Sequence, residues 1–207
     1  MKKRSVQNQK RLMRANEIFN QFVDTIQGLA VTDSFCKVID LIKNCKGKII
    51  TTGMGKAGLA MQKFSSTLCS LGMPSCYLHP GEASHGDLGL IGKEDILFIT
   101  STSGKTREVM EIMDLARNVN VKHIIGITSH SDSPVREKAD FVISMGEIEE
   151  AGDLGLAPTT SILVIQCITD ALALIASEEM GLTREEYGKF HHSGYCGKMA
   201  RGDDKIY

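Results

Sequence analysis

The six cysteines, Cys36, Cys45, Cys69, Cys76, Cys167 and Cys196, form no C-x-x-C pair. They sit mostly in apolar segments and read as reduced core or surface thiols rather than a disulfide framework. Proline is scarce, and the four that occur fall where loops are expected. No linker, repeat or low-complexity segment interrupts the chain, which argues for one compact unit. Charge of one sign is also missing: 24 Lys and Arg offset 25 Asp and Glu for a net charge of -1. That excludes the electrostatic footprint of a DNA- or RNA-binding protein, and the short basic start Lys2-Lys3-Arg4 reads as a solvated terminus. No apolar run approaches the roughly 20 residues that span a bilayer, and no hydrophobic stretch follows the basic start as a signal peptide requires. The expectation is a cytoplasmic protein without membrane partners.

What is present is a chain of 207 residues, 42% hydrophobic, enough for one domain with a substantial core. Leu12, Ile18, Phe19, Phe22, Val23 and Ile26 have helical spacing within 9–29, and Val38, Ile39, Leu41 and Ile42 suggest a second helix. From Lys48 the pattern changes. Short apolar runs at 49–50, 76–78, 96–99, 124–127 and 141–143 alternate with helical stretches at 56–72, 106–118 and 133–138. Such alternation predicts a parallel sheet covered on both faces. The reading is an α/β, three-layer, doubly wound five-stranded sheet, with N-terminal helices over 1–47, a core over 48–197 and a tail over 198–207. The apolar stretch Thr159 to Ile175 reads as a further helix, broken by Gln166, Thr169 and Asp170.

Ligands of such sheets bind beyond the carboxyl ends of the strands. The first loop there is Gly53-Met54-Gly55-Lys56-Ala57-Gly58, with dinucleotide-fingerprint spacing. A dinucleotide site needs an acid near the end of the second strand. Leu78-His79-Pro80 stands there instead, which disfavours that reading and leaves Lys56 as a cation inside a glycine turn. The second loop is Thr100-Ser101-Thr102-Ser103-Gly104-Lys105-Thr106. It is not a Walker A motif, because Ile99 stands where the first glycine belongs. Its hydroxyls at Ser101, Thr102, Ser103 and Thr106 open a helix, where backbone N–H groups and the dipole favour a phosphate. Plain N-capping is the competing reading.

These loops, in this order, resemble the sugar isomerase (SIS) domain, a flavodoxin-like phosphosugar-binding fold. The run 79–89, His-Pro-Gly-Glu-Ala-Ser-His-Gly-Asp-Leu-Gly, the run 154–161, Leu-Gly-Leu-Ala-Pro-Thr-Thr-Ser, and Asp-Ala-Leu-Ala-Leu at 170–174 narrow the resemblance. Together they look like the D-arabinose 5-phosphate isomerase family, which interconverts D-ribulose 5-phosphate and D-arabinose 5-phosphate for Kdo synthesis, serving lipopolysaccharide or capsule. Three positions depart from the family pattern: Ser103-Gly104-Lys105 replaces Ser-Gly-Glu, Glu150-Ala151-Gly152-Asp153 replaces Glu-Ala-Cys-Pro, and His191-His192-Ser193-Gly194 replaces His-Pro-Gly-Gly. The family's tandem CBS domains are expected to be missing from a chain ending at Tyr207.

The resemblance implies an aldose–ketose isomerase acting through a cis-enediol, with Lys56, Glu108, Glu150 and His191 as catalytic residues. In that assignment Glu150 shuttles the proton, His191 assists ring opening or transfer between oxygens, Lys56 stabilises the enediolate, and Glu108 orients Lys56 or holds hydroxyls. Gly55 and the hydroxyl loop contact the phosphosugar, with sugar-hydroxyl contacts from His79, Glu82 and His85. No cofactor is expected, and no metal beyond an opportunistic zinc near His79, Glu82, His85 and Asp87. The family implies a homotetramer with sites at subunit interfaces, where His191 or His85 acts across a boundary. Feedback by CMP-Kdo is a further expectation. The alternatives are another SIS isomerase, such as 3-hexulose-6-phosphate isomerase, or a phosphosugar sensor without catalysis, though residues 1–47 carry no clear helix-turn-helix.

Overall fold

The computed structural model describes residues 2–202, with side chains from Ser5 onward. Two helices open the chain, α1 (Lys2–Gln27) and α2 (Asp33–Lys43). The sheet follows as β1 (Ile49–Gly53), α3 (Gly55–Ser70), β2 (Ser75–Tyr77), the short α4 (Pro80–Ala83) with a 3₁₀ turn at Asp87–Leu90, β3 (Ile96–Thr100), α5 (Arg107–Asn118), β4 (His123–Thr128), α6 (Pro134–Lys138) and β5 (Phe141–Ser144). Three helices close it: α7 (Thr160–Glu179), α8 (Arg184–Phe190) and α9 (Gly194–Arg201).

All neighbouring strands pair in parallel, in the order β2-β1-β3-β4-β5, which is the flavodoxin-like winding the resemblance implies. β1 and β3 are buried along their whole length, as central strands of a parallel sheet must be. Their side chains alternate between two cores. Ile49, Ile96, Phe98, Ile125 and Ile127 face α2, α3 and α7, whereas Ile50, Leu97, Ile99 and Ile124 face α5 and α6. Phe64 of α3 meets Phe98 edge-on, ring centroids 5.3 Å apart, a geometry worth about 1 kcal/mol beyond its burial. On the other face Val109, Ile112, Met113 and Ala116 of α5 repeat at helical spacing and are buried.

The amino ends of the strands are fastened by one carboxylate. Asp95, only 3% exposed at its side chain, accepts from the Lys48 and Gly92 backbone N–H groups at 2.6 and 2.8 Å and pairs with Lys48 Nζ at 2.9 Å. Burial pushes its carboxyl upward, but those donors outweigh burial and hold it below its ordinary value.

Three features differ from expectation. The apolar helix α7 runs 20 residues to Glu179 and is long and apolar enough to cross a bilayer, whereas the sequence suggests no stretch of that length. More than half of its most apolar window is buried, and Val164, Ile165, Ile168, Leu172, Ala173 and Ala176 pack on α2, α3 and the sheet, so it serves as a core helix. Two short helices beyond α7, α8 and α9, stand where the sequence reading assigns no element, the first begun by a capping box of Thr183 and Glu186. Residues 203–207 of the expected tail lie outside the described residues. Finally, α1 reaches back to rest on α7 yet leaves Leu12, Met13 and Phe19 at least 60% exposed.

Candidate active site

In this winding the connections from β1 and β3 leave in opposite directions, opening a crevice at their carboxyl ends. A cleft of about 910 Å³ lies there. Gly55, Lys56, Ser101, Thr102, Ser103, Thr106 and Glu108 all line it, so the glycine loop, the hydroxyl loop and one carboxylate converge there. His130, Leu156, Pro158, Ser161 and Ile162 complete the wall.

Each wall has a local cause. At Gly58 a Cβ would fall 2.4 Å from the Gly53 carbonyl oxygen and 2.7 Å from the Tyr77 hydroxyl, so only glycine lets α3 start this close to β1. Tyr77 donates to that same Gly53 carbonyl at 2.7 Å and fixes the end of the strand. Burial pushes the Tyr77 phenol above its ordinary value. This tight turn presents Lys56, exposed, at the mouth of the cleft.

The hydroxyl loop does not cap α5: the Thr106 side chain makes no cap bond to the helix. Ser101 Oγ lies 2.8 Å from Thr106 Oγ1 and accepts from the Gly104 N–H at 3.0 Å, and Ser103 Oγ accepts from the Lys105 N–H at 3.2 Å. The hydroxyls therefore shape the loop, and the first turn of α5 points into the cleft with its dipole. Glu108 stands in that first turn, 31% exposed at its side chain, with the Arg107 guanidinium 3.7 Å away as its ion-pair partner.

The other predicted residues lie elsewhere in the single chain. Glu150 does not line the cleft; its Oε2 accepts from the Thr159 N–H at 2.7 Å and the Ser161 N–H at 3.3 Å, so it holds the amino end of α7 from outside. His79 borders a separate cavity of about 600 Å³ with Asp87, and its Nδ1 accepts from the Gly81 N–H at 3.2 Å. Glu82 and His85 are exposed nearby. Among the described residues no three His, Cys, Asp or Glu side chains gather in a metal-binding group, so His79, Glu82, His85 and Asp87 do not converge.

His191 is the most displaced. It stacks on Tyr187, centroids 4.0 Å apart, and its Nδ1 sits 3.1 Å from the Tyr187 carbonyl, so both its ring face and one ring nitrogen are engaged within the C-terminal helices. The preceding Phe190 packs against Gly72, just beyond the carboxyl end of α3. Lys56 is at the other end of that 16-residue helix, about 24 Å away along its axis. Burial pushes the Cys45, Cys76 and Cys167 thiols above their ordinary value, which disfavours the thiolate at those three positions. Sequence reasoning missed His130, which follows β4 and has no motif around it; its place after a strand's carboxyl end is the one signal that marks it.

The model of the SIS domain matches residues 41–175, and the chain belongs to that family. The arabinose 5-phosphate isomerase KdsD of Pseudomonas aeruginosa is 36% identical over 168 residues, covering 81% of this chain and 51% of the relative. The chain spans about half the length of the curated relatives it matches. Among solved structures, a Bacteroides fragilis protein described as a candidate phosphosugar isomerase involved in capsule formation is 40% identical with a TM-score of 0.86, covering 89% of this chain and 99% of that one. An Escherichia coli CFT073 protein in complex with arabinose 5-phosphate is 29% identical with a TM-score of 0.85, covering 89% and 98% of the two chains.

Proposed function

We propose that this chain is an aldose–ketose isomerase for a pentose 5-phosphate, interconverting D-ribulose 5-phosphate and D-arabinose 5-phosphate in the cytoplasm. The observation that carries it is the shared cleft, where a lysine, a carboxylate and an uncapped hydroxyl loop meet at the topological switch point. The names of the relatives support the same substrate. The phosphate monoester docks on Ser101 to Thr106 and the first turn of α5, which leaves the carbonyl end of the sugar toward Lys56 and Glu108.

Isomerisation removes a proton from the carbon next to the carbonyl and returns it one carbon away, through an enediolate. A carboxylate inside the cleft suits the transfer, and Glu108 is the acid that lines it. Lys56 supplies positive charge where the oxygen becomes negative. Glu150 then acts by holding Thr159 and Ser161, and with them the cleft wall of Pro158, Ser161 and Ile162. This exchanges the two glutamate roles expected from the resemblance. His191 reaches the cleft only from another subunit, which fits the family's homotetramer, and the exposed apolar side chains of α1 offer a surface for assembly.

Incubating the protein with D-ribulose 5-phosphate in deuterated water tests this reading by proton NMR. D-arabinose 5-phosphate deuterated at carbon 2 is expected; absence of product and of exchange, with phosphosugar still bound, would instead mark a sensor.

A further inference from the structure

Resting on that reading, we propose that His130 is a substrate-binding residue, a hydrogen-bonding contact to the phosphate from the side opposite Lys56. The two loops that would surround the phosphate are joined into one unit. The Ser129 N–H and the Thr128 hydroxyl both donate to the Thr102 carbonyl, at 3.0 and 3.3 Å. Lys105 Nζ reaches Asp132 at 3.0 Å. Gly104, at φ +65°, comes so near Ser133 that an added Cβ would lie 2.2 Å from the serine Cβ.

His130 sits inside this seam with its backbone pinned, because Arg136 Nε donates to its carbonyl at 2.7 Å and Arg136 Nη2 to the Ser129 carbonyl at 3.4 Å. Its imidazole is not held. The side chain is 54% exposed, and Asp132 Oδ1 is 4.0 Å from Nδ1, beyond hydrogen-bond range, while the other oxygen of that carboxylate, Oδ2, is engaged with Lys105. Neither ring nitrogen makes a hydrogen bond among the described residues, yet the residue lines the cleft. β3 lies between β1 and β4, so the strands that lead into the Lys56 turn and the His130 loop are about 10 Å apart, with the hydroxyl loop leaving the strand between them. An anion centred on that loop is flanked by Lys56 toward the reacting carbons and by His130 toward the β4 side. An imidazole anchored by its backbone and unengaged at its ring adds a contact that reads the phosphate rather than the sugar.

The test compares H130A and H130N with a neighbouring control, S131A, using D-ribulose 5-phosphate turnover and the thermal shift produced by inorganic phosphate. H130A is expected to raise KM about tenfold, and the phosphate concentration for half-maximal shift in parallel, with kcat within about threefold. H130N, which keeps a donor, should lose less, and S131A should change neither readout. An unchanged KM and phosphate midpoint in H130A, a fall in kcat alone, or no phosphate shift in the wild-type protein would each overturn the proposal. If the wild-type protein turns over no pentose phosphate, the isomerase reading fails while the phosphate midpoints of wild type and H130A still decide the role of His130. Should H130A not fold, a phosphate midpoint raised in H130N supports the contact and one equal to wild type overturns it.

Discussion

Asp95 and Glu108 are two carboxylates at opposite ends of the same sheet, and their surroundings could hardly differ more. At the amino ends of the strands Asp95 is 3% exposed at its side chain, with two backbone N–H donors and an ammonium holding its charge. At the carboxyl ends Glu108 faces an open cleft, with a single guanidinium 3.7 Å away. A carboxylate whose lone pairs are already filled stabilises the fold and cannot accept a substrate proton. One with open coordination contributes little to stability and leaves its oxygens available to a ligand. The two ends thus divide stability from chemistry, and substitutions can test that division.

The largest effect is expected at the open end. E108Q should lower kcat about a thousandfold while substrate affinity and melting temperature stay nearly unchanged, as single-turnover kinetics and calorimetry would show. A melting temperature that drops with activity would break the division. The mirror experiment is D95N, which leaves buried donors facing a neutral amide. It should cost about 2–4 kcal/mol in urea unfolding, with kcat of the folded fraction retained. Because the folded-state pKa of Asp95 is depressed, its contribution is full above the unfolded value near 4 and is lost as pH falls through the folded value. Wild type should therefore lose stability on acidification below about pH 4 more steeply than D95N.

Smaller effects sharpen the cleft itself. S101A removes the acceptor for the Gly104 N–H and the partner of Thr106, and should raise KM about fivefold with a lesser change in kcat. E150Q weakens the hold on α7, and should cost about 1 kcal/mol of stability with a modest loss of activity. A thousandfold fall in E150Q would return the proton transfer to Glu150 and leave Glu108 as the orienting group.

The sheet was legible because its strands are short apolar runs bounded by glycine, proline and polar clusters, and all five appear where those runs stand. The hydroxyl loop and Lys56 were legible for a related reason, since residues that follow a parallel strand must lie at the ligand end. Distance in sequence hid the rest. Glu150 finds its partners nine and eleven residues later, at the start of a helix, and nothing in Glu147 to Glu150 says which acid turns inward. Glycines at 188, 194 and 197 break the helical pattern beyond 175, yet Gly197 is buried in α9 and packs so close to the His191 carbonyl that no side chain could replace it. His130 follows β4 at the ligand end but stands in a loop that carries no motif, so the stitching of its neighbours to Thr102 is what ties it to the hydroxyl loop.

The placement of α7 has a consequence for how the chain comes off the ribosome. Every strand is synthesised before this helix, yet one face of the sheet is finished only when Val164, Ile165, Ile168 and Leu172 arrive to cover it. Until then Phe64, Phe98 and Ile125 have α2 and α3 alone for shelter. The nascent protein is thus a half-covered sheet waiting for its most apolar helix, a species prone to stick to itself. Slow translation near Thr160 would prolong that exposure.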